Sequence, residues 1–225
     1  MVRRVLALIA ALVLASAAQG GAWLKERGDT FLSFSFEAPQ DGEGWASVYA
    51  ERGIRPWLTF GVDGGRAAGR GEGEVIVFAR TMVGPQGEAR RQALELGFGA
   101  RLDAEGVPLP AMRAGLSWGR GFGSRFGNGW MAVDGSVTGY GNFAAGSEEG
   151  LSLKLDTTFG LRPSENSVAT MQFFWSRSGD EDAAMRLVPS YGRRLTGSTF
   201  GRVGVVFGGG GAPSLGLKVG ITTEF

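Results

Sequence analysis

The stretch Leu215–Phe225, LGLKVGITTEF, decides the fold. Its odd positions Leu215, Leu217, Val219, Ile221 and Phe225 are apolar, with Thr223 the exception, whereas Gly216, Lys218, Gly220, Thr222 and Glu224 are small, polar or charged. A two-residue period sends the two sets to opposite faces of a strand. This strand has one oily face and one wet face, and the sequence stops on an aromatic residue.

The same alternation returns upstream roughly every seventeen residues, the length of one barrel strand of about ten residues plus a connection. Thr30–Glu37 sends Leu32, Phe34 and Phe36 one way and Ser33, Ser35 and Glu37 the other. Trp45–Arg52, Trp57–Asp63, Glu74–Val83, Gln92–Arg101, Met112–Gly119 and Trp130–Thr138 follow. Leu151–Leu161 is the cleanest, with Leu151, Leu153, Leu155, Phe159 and Leu161 against Ser152, Lys154, Asp156, Thr158 and Gly160. Ser167–Ser176, Ala184–Arg193 and Thr199–Phe207 complete the series. The expectation is an all-β chain, an antiparallel up-and-down transmembrane barrel of about twelve strands, with ten as the alternative. No helical period of more than a few turns is present. A soluble β-sandwich also alternates, but here the polar face carries glycine or charge in nearly every strand.

If the first strand runs outward, the outer connections are APQDGEG, GGRAAGRGEGE, DAEGVPLP, GYGNFAAGSEEG, RSGDEDA and GGGGAPS. Most are longer than the opposite turns RGIRP, RPSEN and RRLTG, although GPQGEARR and RGFGSRFGN break the trend.

The other end of the chain reads as an export signal. Arg3 and Arg4 precede an apolar run, Val5–Leu14, and then the small residues Ala15, Ser16, Ala17 and Ala18. That run is about ten residues long, short of the roughly twenty a bilayer requires, so residues 1–18 are expected to be a signal peptide cut after Ala18 or Gly20. Residues 19–225 then form a single domain. Without Arg3 and Arg4 the 23 bases become 21 against 22 acids, which leaves no cationic surplus for nucleic acid. Cysteine is absent although an exported chain could use it, so stability has to come from another source, such as a closed hydrogen-bonded barrel. The 40 glycines are spread through the chain and form no linker.

An alternating terminal strand that ends on Phe225 resembles the closing strand of bacterial outer-membrane β-barrels. That resemblance implies that Phe225 is the signal read by the barrel assembly machinery. The pieces GAWLKERGDTFLSFSF, YAERGIRPWLTFGVD, TFGLRPSENSVATMQFF and VPSYGRRLTGSTFGRVGV resemble proteobacterial outer-membrane proteins of a transporter-like family associated with phenol degradation. In that family a strand, a tight turn and a second strand stand at such places, often with an acid just before the turn, as at Glu51. The resemblance implies a barrel and names no substrate.

Chemistry is limited by what the chain lacks. With no histidine and no cysteine, imidazole general-base catalysis and imidazole or thiolate metal sites are closed, and neither enzyme activity nor a cofactor or metal is expected. Asp180, Glu181 and Asp182 read as a solvated loop tip, with Ca²⁺ or a cation-bridged lipopolysaccharide as the alternative. GRGFGSRFGNG and VFGGGGA imitate phosphate-binding loops, but neither follows a parallel strand into a helix, so both read as turns and loops.

The face assigned inward carries Glu51, Asp63, Glu74, Glu95, Asp134, Asp156 and Glu224 beside Arg80, Arg101, Arg113, Lys154, Arg186, Arg202 and Lys218. Seven charges of each sign either pair and fill the lumen or line a water-filled, weakly selective channel. Trp23, Trp45, Trp57, Trp118, Trp130, Trp175 and one of Tyr140 and Tyr191 are expected at the headgroup belts, with interior packing as the alternative for Trp45 and Trp130. The expected function is passive passage of small solutes by a monomer in the outer membrane, surrounded by lipid and lipopolysaccharide. The alternative is a filled barrel that works through its outer loops.

Overall fold

The computed structural model describes residues 21–40, 43–69, 71–84, 90–103, 105–142, 147–179, 182–209 and 214–225. The expected signal peptide, 1–18, therefore lies outside the described residues. Twelve strands follow one another: β1 (Thr30–Pro39), β2 (Trp45–Arg55), β3 (Leu58–Ala67), β4 (Gly73–Met82), β5 (Arg90–Leu102), β6 (Pro108–Ser124), β7 (Gly127–Asn142), β8 (Ser147–Ser164), β9 (Ser167–Ser178), β10 (Ala184–Thr196), β11 (Thr199–Gly209) and β12 (Leu215–Glu224). Each pairs antiparallel with its sequence neighbours, and β1 pairs with β12, so the sheet closes on itself. The count is twelve, and the ten-strand alternative is set aside.

Closure satisfies the backbone of every strand and leaves no edge. The seam is sealed by a backbone exchange in which Thr30 N–H donates to Phe225 C=O at 2.7 Å and Phe225 N–H donates to Thr30 C=O at 3.0 Å. The start of β1 and the end of β12 thus lie at one rim. On that rim the turns are two residues long, at Pro56–Trp57, Arg125–Phe126, Glu165–Asn166 and Gly197–Ser198, with a longer connection between β4 and β5. At the opposite rim, called the loop rim below, every connection has four or five residues.

Strand lengths correct the sequence reading. β6, β7 and β8 run for 17, 16 and 18 residues and absorb much of what read as connection. RGFGSRFGN and GRGFGSRFGNG are therefore mostly strand, broken only at Arg125–Phe126, and GYGNFAAGSEEG is strand on both sides of residues 143–146. β2 continues to Arg55, so Glu51 lies inside the strand and not at the turn. In VFGGGGA, Val206–Gly209 belongs to β11 and residues 210–212 lie outside the described residues, as do Asp180 and Glu181.

The outer wall is apolar: Phe98 is 69% exposed, Leu116 62% and Leu217 59%, and Phe34, Leu151, Met171 and Val203 share that face. Soluble monomers rarely show continuous apolar patches beyond roughly 300–600 Å². A ring of such side chains around the whole barrel is instead what hydrocarbon would cover. Ten residues at about 3.4 Å rise and about 40° tilt span ~26 Å, the height of an outer-membrane apolar band.

The core lies inside the barrel. One cluster joins Ile76, Phe78, Ala111 and Tyr140 with Tyr49 packed against it. A second joins Trp130, Ala132, Val168 and Phe200 with Trp23. Trp23 comes from the segment Gly21–Asp29, which turns in from the start of β1 and enters the lumen.

Candidate functional site

The lumen is the candidate site. Even spacing on each strand aims polar side chains inward, and the antiparallel register brings neighbouring strands' charges together in layers.

At the turn rim, Gly21–Asp29 folds back under the barrel. Gly28 N–H donates to Gly53 C=O at 2.8 Å and Gly53 N–H donates to Asp29 C=O at 3.0 Å, with a parallel bridge between Arg27 and Gly53. Further in, Lys25 N–H donates to Thr59 Oγ1 at 3.1 Å. The Lys25 ammonium meets Glu224 at 3.0 Å and Glu51 at 3.8 Å. The Trp23 ring lies over Gly119, where any Cβ would collide with the indole. Trp23 was expected at a headgroup belt and is an interior residue. It stands beside Trp130, which is likewise interior, while Trp45 lines the cavity near the loop rim and Trp57 sits on a turn.

The middle layer is an ion-pair network. Arg80 donates to Glu51 Oε2 at 3.0 Å, to Tyr49 Oη at 3.1 Å and to Glu95 Oε2 at 2.5 Å. Arg113 donates to Asp63 Oδ2 at 2.7 Å, and its Nε lies 2.8 Å from Glu95 Oε1, close enough for an ion pair but without hydrogen-bond alignment. Glu95 therefore bridges two guanidinium groups. Both stand over the Phe78 ring, at 4.8 Å for Arg80 and 5.6 Å for Arg113, and Tyr49 stacks on the same ring at 5.7 Å. Burial of these charges is offset because each has partners of opposite sign.

Toward the loop rim, Glu74 accepts from Tyr140 Oη at 2.5 Å and pairs with Lys154 at 3.5 Å, and Arg101 stands 5.3 Å over the Tyr140 ring. On the far wall Glu37 meets Arg186 at 2.8 Å and Lys218 at 3.8 Å, both cations lying over Phe174. Asp134 and Asp156 face each other directly across the β7–β8 ladder. Nearer the turn rim, Arg162 stands over Trp130, Arg194 over Phe200, and Arg202 has an enclosed Nε without a hydrogen-bond partner.

Water-sized space remains between these layers. A central cavity of about 390 Å³ is bounded by Gly21, Lys25, Arg80, Asp134, Asp156 and Lys218, among others. A second, of about 270 Å³, lies toward the loop rim between Trp45, Glu74, Arg101, Tyr140 and Lys154. Ser47 and Asp63 line both.

The fourteen charges picked out by alternation fall into different environments. Glu51, Arg80, Glu95, Arg113 and Asp63 form the central network; Glu74, Arg101 and Lys154 cluster near the loop rim; Arg186 and Lys218 join Glu37; Asp134 and Asp156 oppose one another; Glu224 holds Lys25; and Arg202 stands apart. Sequence reading missed Lys25, Tyr49, Arg162 and Arg194, and left Glu37 unranked. Arg162 and Arg194 each lie one residue past the strand ends drawn from sequence, and continuing the alternation would have found them. Lys25 sits in a stretch with no period at all. Among the described residues no cluster of acids is arranged to hold a metal ion.

A closed twelve-stranded antiparallel barrel with an apolar exterior and a charged, layered lumen is the class these features define. No protein-family model matches the chain, and no curated protein resembles it in sequence. Solved structures share its fold. The COG4313 outer membrane channel from Pseudomonas putida F1 superposes with a TM-score of 0.60 at 8% identity, over 93% of this chain and 100% of that one. The KdgM porin gives 0.58 at 8% identity over 87% and 99%, and the NanC porin 0.58 at 7% over 85% and 98%.

Proposed function

We propose that the chain is an outer-membrane barrel through which small polar solutes pass by diffusion, with the lumen charges setting selectivity. The observation that carries this is the pair of charged cavities, one central and one toward the loop rim, whose walls share Ser47 and Asp63. The likeness to barrels named as porins and channels supports it. Arg162, Arg194 and Arg202 give the turn-rim half a cationic character, so anions pass more readily than cations. The outer face meets lipid and lipopolysaccharide, the barrel acts as a monomer, and the exposed Phe225 at the seam is the handle for the assembly machinery. The kinship with transporter-like proteins of phenol degradation belongs to the same proposal, resting on the turn motifs quoted above.

A second reading is favoured by the segment Gly21–Asp29, which occupies the turn-rim half of the lumen. Under it the barrel is closed and works through its loops. Single-channel recording of the refolded barrel in a planar bilayer, after heat-modifiable migration shows closure, separates the two. Discrete steps with an anion-directed reversal potential support passage. A folded but silent barrel overturns the channel reading and leaves the second.

A further inference from the structure

Asp134 and Asp156 stand directly opposite one another on β7 and β8. Like charges so placed repel, and something must compensate them. The surrounding cations are each ion-paired to another acid, Arg80 with Glu51 and Glu95, Arg186 and Lys218 with Glu37, and Lys154 with Glu74, and they act on the two aspartates only at longer range. Asp134 lies beside Ser117 and the Gly21 backbone, and its Oδ1 is enclosed without a hydrogen-bond partner. An orphaned, buried carboxylate oxygen is costly and points to a missing donor.

Gly21 is the group that reaches it. A Cβ at this position would lie 2.6 Å from Ser117 Oγ, 2.8 Å from Asp134 Oδ1 and 2.9 Å from Arg80 Cζ, so backbone and not side chain meets the carboxylate. Two candidate processing sites follow the apolar run, and one of them, with small Ala18 and Gly20 flanking Gln19, makes Gly21 the first residue. A peptide N–H offers one donor, whereas an ammonium offers three and a positive charge.

We propose that processing cuts the Gly20–Gly21 bond and that the new Gly21 ammonium seats on the Asp134–Asp156 pair, locking the N-terminal segment inside the lumen. The cut is a hydrolysis: one water is consumed, Gly20 keeps the carboxylate, and the released amine on Gly21 takes a proton. The ammonium then supplies the donor that Asp134 Oδ1 lacks and the cation between two opposed carboxylates. This inference rests on the export reading and extends it to a defined cleavage bond and a receptor site.

The test begins with the full chain expressed in a Gram-negative host and extracted from its outer membrane. Intact mass is expected to show a chain starting at Gly21; an outer-membrane chain starting at Gln19 overturns the lock while leaving export intact, and an uncut chain held in the inner membrane overturns both. Amine acylation by an N-hydroxysuccinimide ester at neutral pH, read by peptide mass spectrometry, then reports the site. The folded α-amine should react about tenfold more slowly than in the urea-unfolded chain, with Lys154 as the accessible internal control. Asp134→Asn should restore most of that rate, Asp156→Asn part of it, and Ser117→Ala, which leaves both charges, should change it by less than about twofold. Equal rates in folded and unfolded wild-type protein overturn the proposal even if no variant folds.

Discussion

Glu95→Ala probes whether the central network holds the barrel wall together. Glu95 is 7% exposed and sits between Arg80, also 7% exposed, and Arg113 at 8%. Removing one member of a buried pair costs about 3–5 kcal/mol when the partner is left alone. Here neither partner is abandoned, since Arg80 keeps Glu51 and Tyr49 and Arg113 keeps Asp63. The loss is instead that of the charge-assisted contacts to Glu95, at roughly 1.5–3 kcal/mol each, reduced by water entering the cavity beside them. About 3 kcal/mol is the expected total. Reversible urea unfolding in lipid vesicles, followed by tryptophan fluorescence, measures it. Asp63→Ala serves as the comparison, because the Asp63 side chain is 41% exposed and its pair with Arg113 should be worth less than about 1 kcal/mol. If Glu95→Ala falls within about 0.5 kcal/mol of wild type, the reasoning that these charges stabilise through pairing is wrong.

Phe98→Arg puts a guanidinium on the apolar outer face and should cost about 2–4 kcal/mol in lipid vesicles if Phe98 lies near the midplane; an unchanged or raised stability would mean that no hydrocarbon covers that face. Phe78→Ala empties the space beneath both guanidiniums, and the same unfolding assay should register a loss of about 3–5 kcal/mol. Gly119→Leu should drive Trp23 from its seat, seen as a red shift and greater quenching of its fluorescence by iodide, and enlarge single-channel steps if the segment limits flow; unchanged emission and quenching would argue against the interior position. Lys25→Met frees Glu224 and Glu51 from their shared cation and should raise the rate at which protease clips the N-terminal segment, with no increase expected if Lys25 does not anchor it.

Strand positions were legible because lipid on one side and a polar lumen on the other impose alternation, and that pressure is strong where both solvents are present. It fades near the rims. Beyond Trp118 the outward residues of β6 are Arg120, Phe122 and Ser124, which no longer alternate clearly with Gly119, Gly121 and Gly123, yet the ladder to β7 continues to Ser124 opposite Gly127. Hydrogen bonding does not require a hydrophobic pattern, so β6, β7 and β8 looked shorter than they are. The lumen charges could be assigned to a face, but their partners could not: Arg113 meets Asp63 across 50 residues and Arg186 meets Glu37 across 149. Those pairs depend on barrel diameter and stagger, which only the closed sheet defines. Gly21–Asp29 carried no period because its contacts are single and distant, made by backbone, the Trp23 ring and Lys25, with no repeating side-chain rule to read.

Lys25 and Glu224 lie 199 positions apart, one just ahead of the first strand and the other at the end of the last. Their ion pair depends on β1 and β12 lying side by side, so the N-terminal segment finds its full anchorage only in a barrel whose seam is shut. Until then Lys25 lacks the Glu224 carboxylate. Occupation of the lumen is thereby coupled to completion of the wall, and a barrel stalled one strand short would carry a loose N-terminal arm, cleavable by protease, as the mark of its unfinished state.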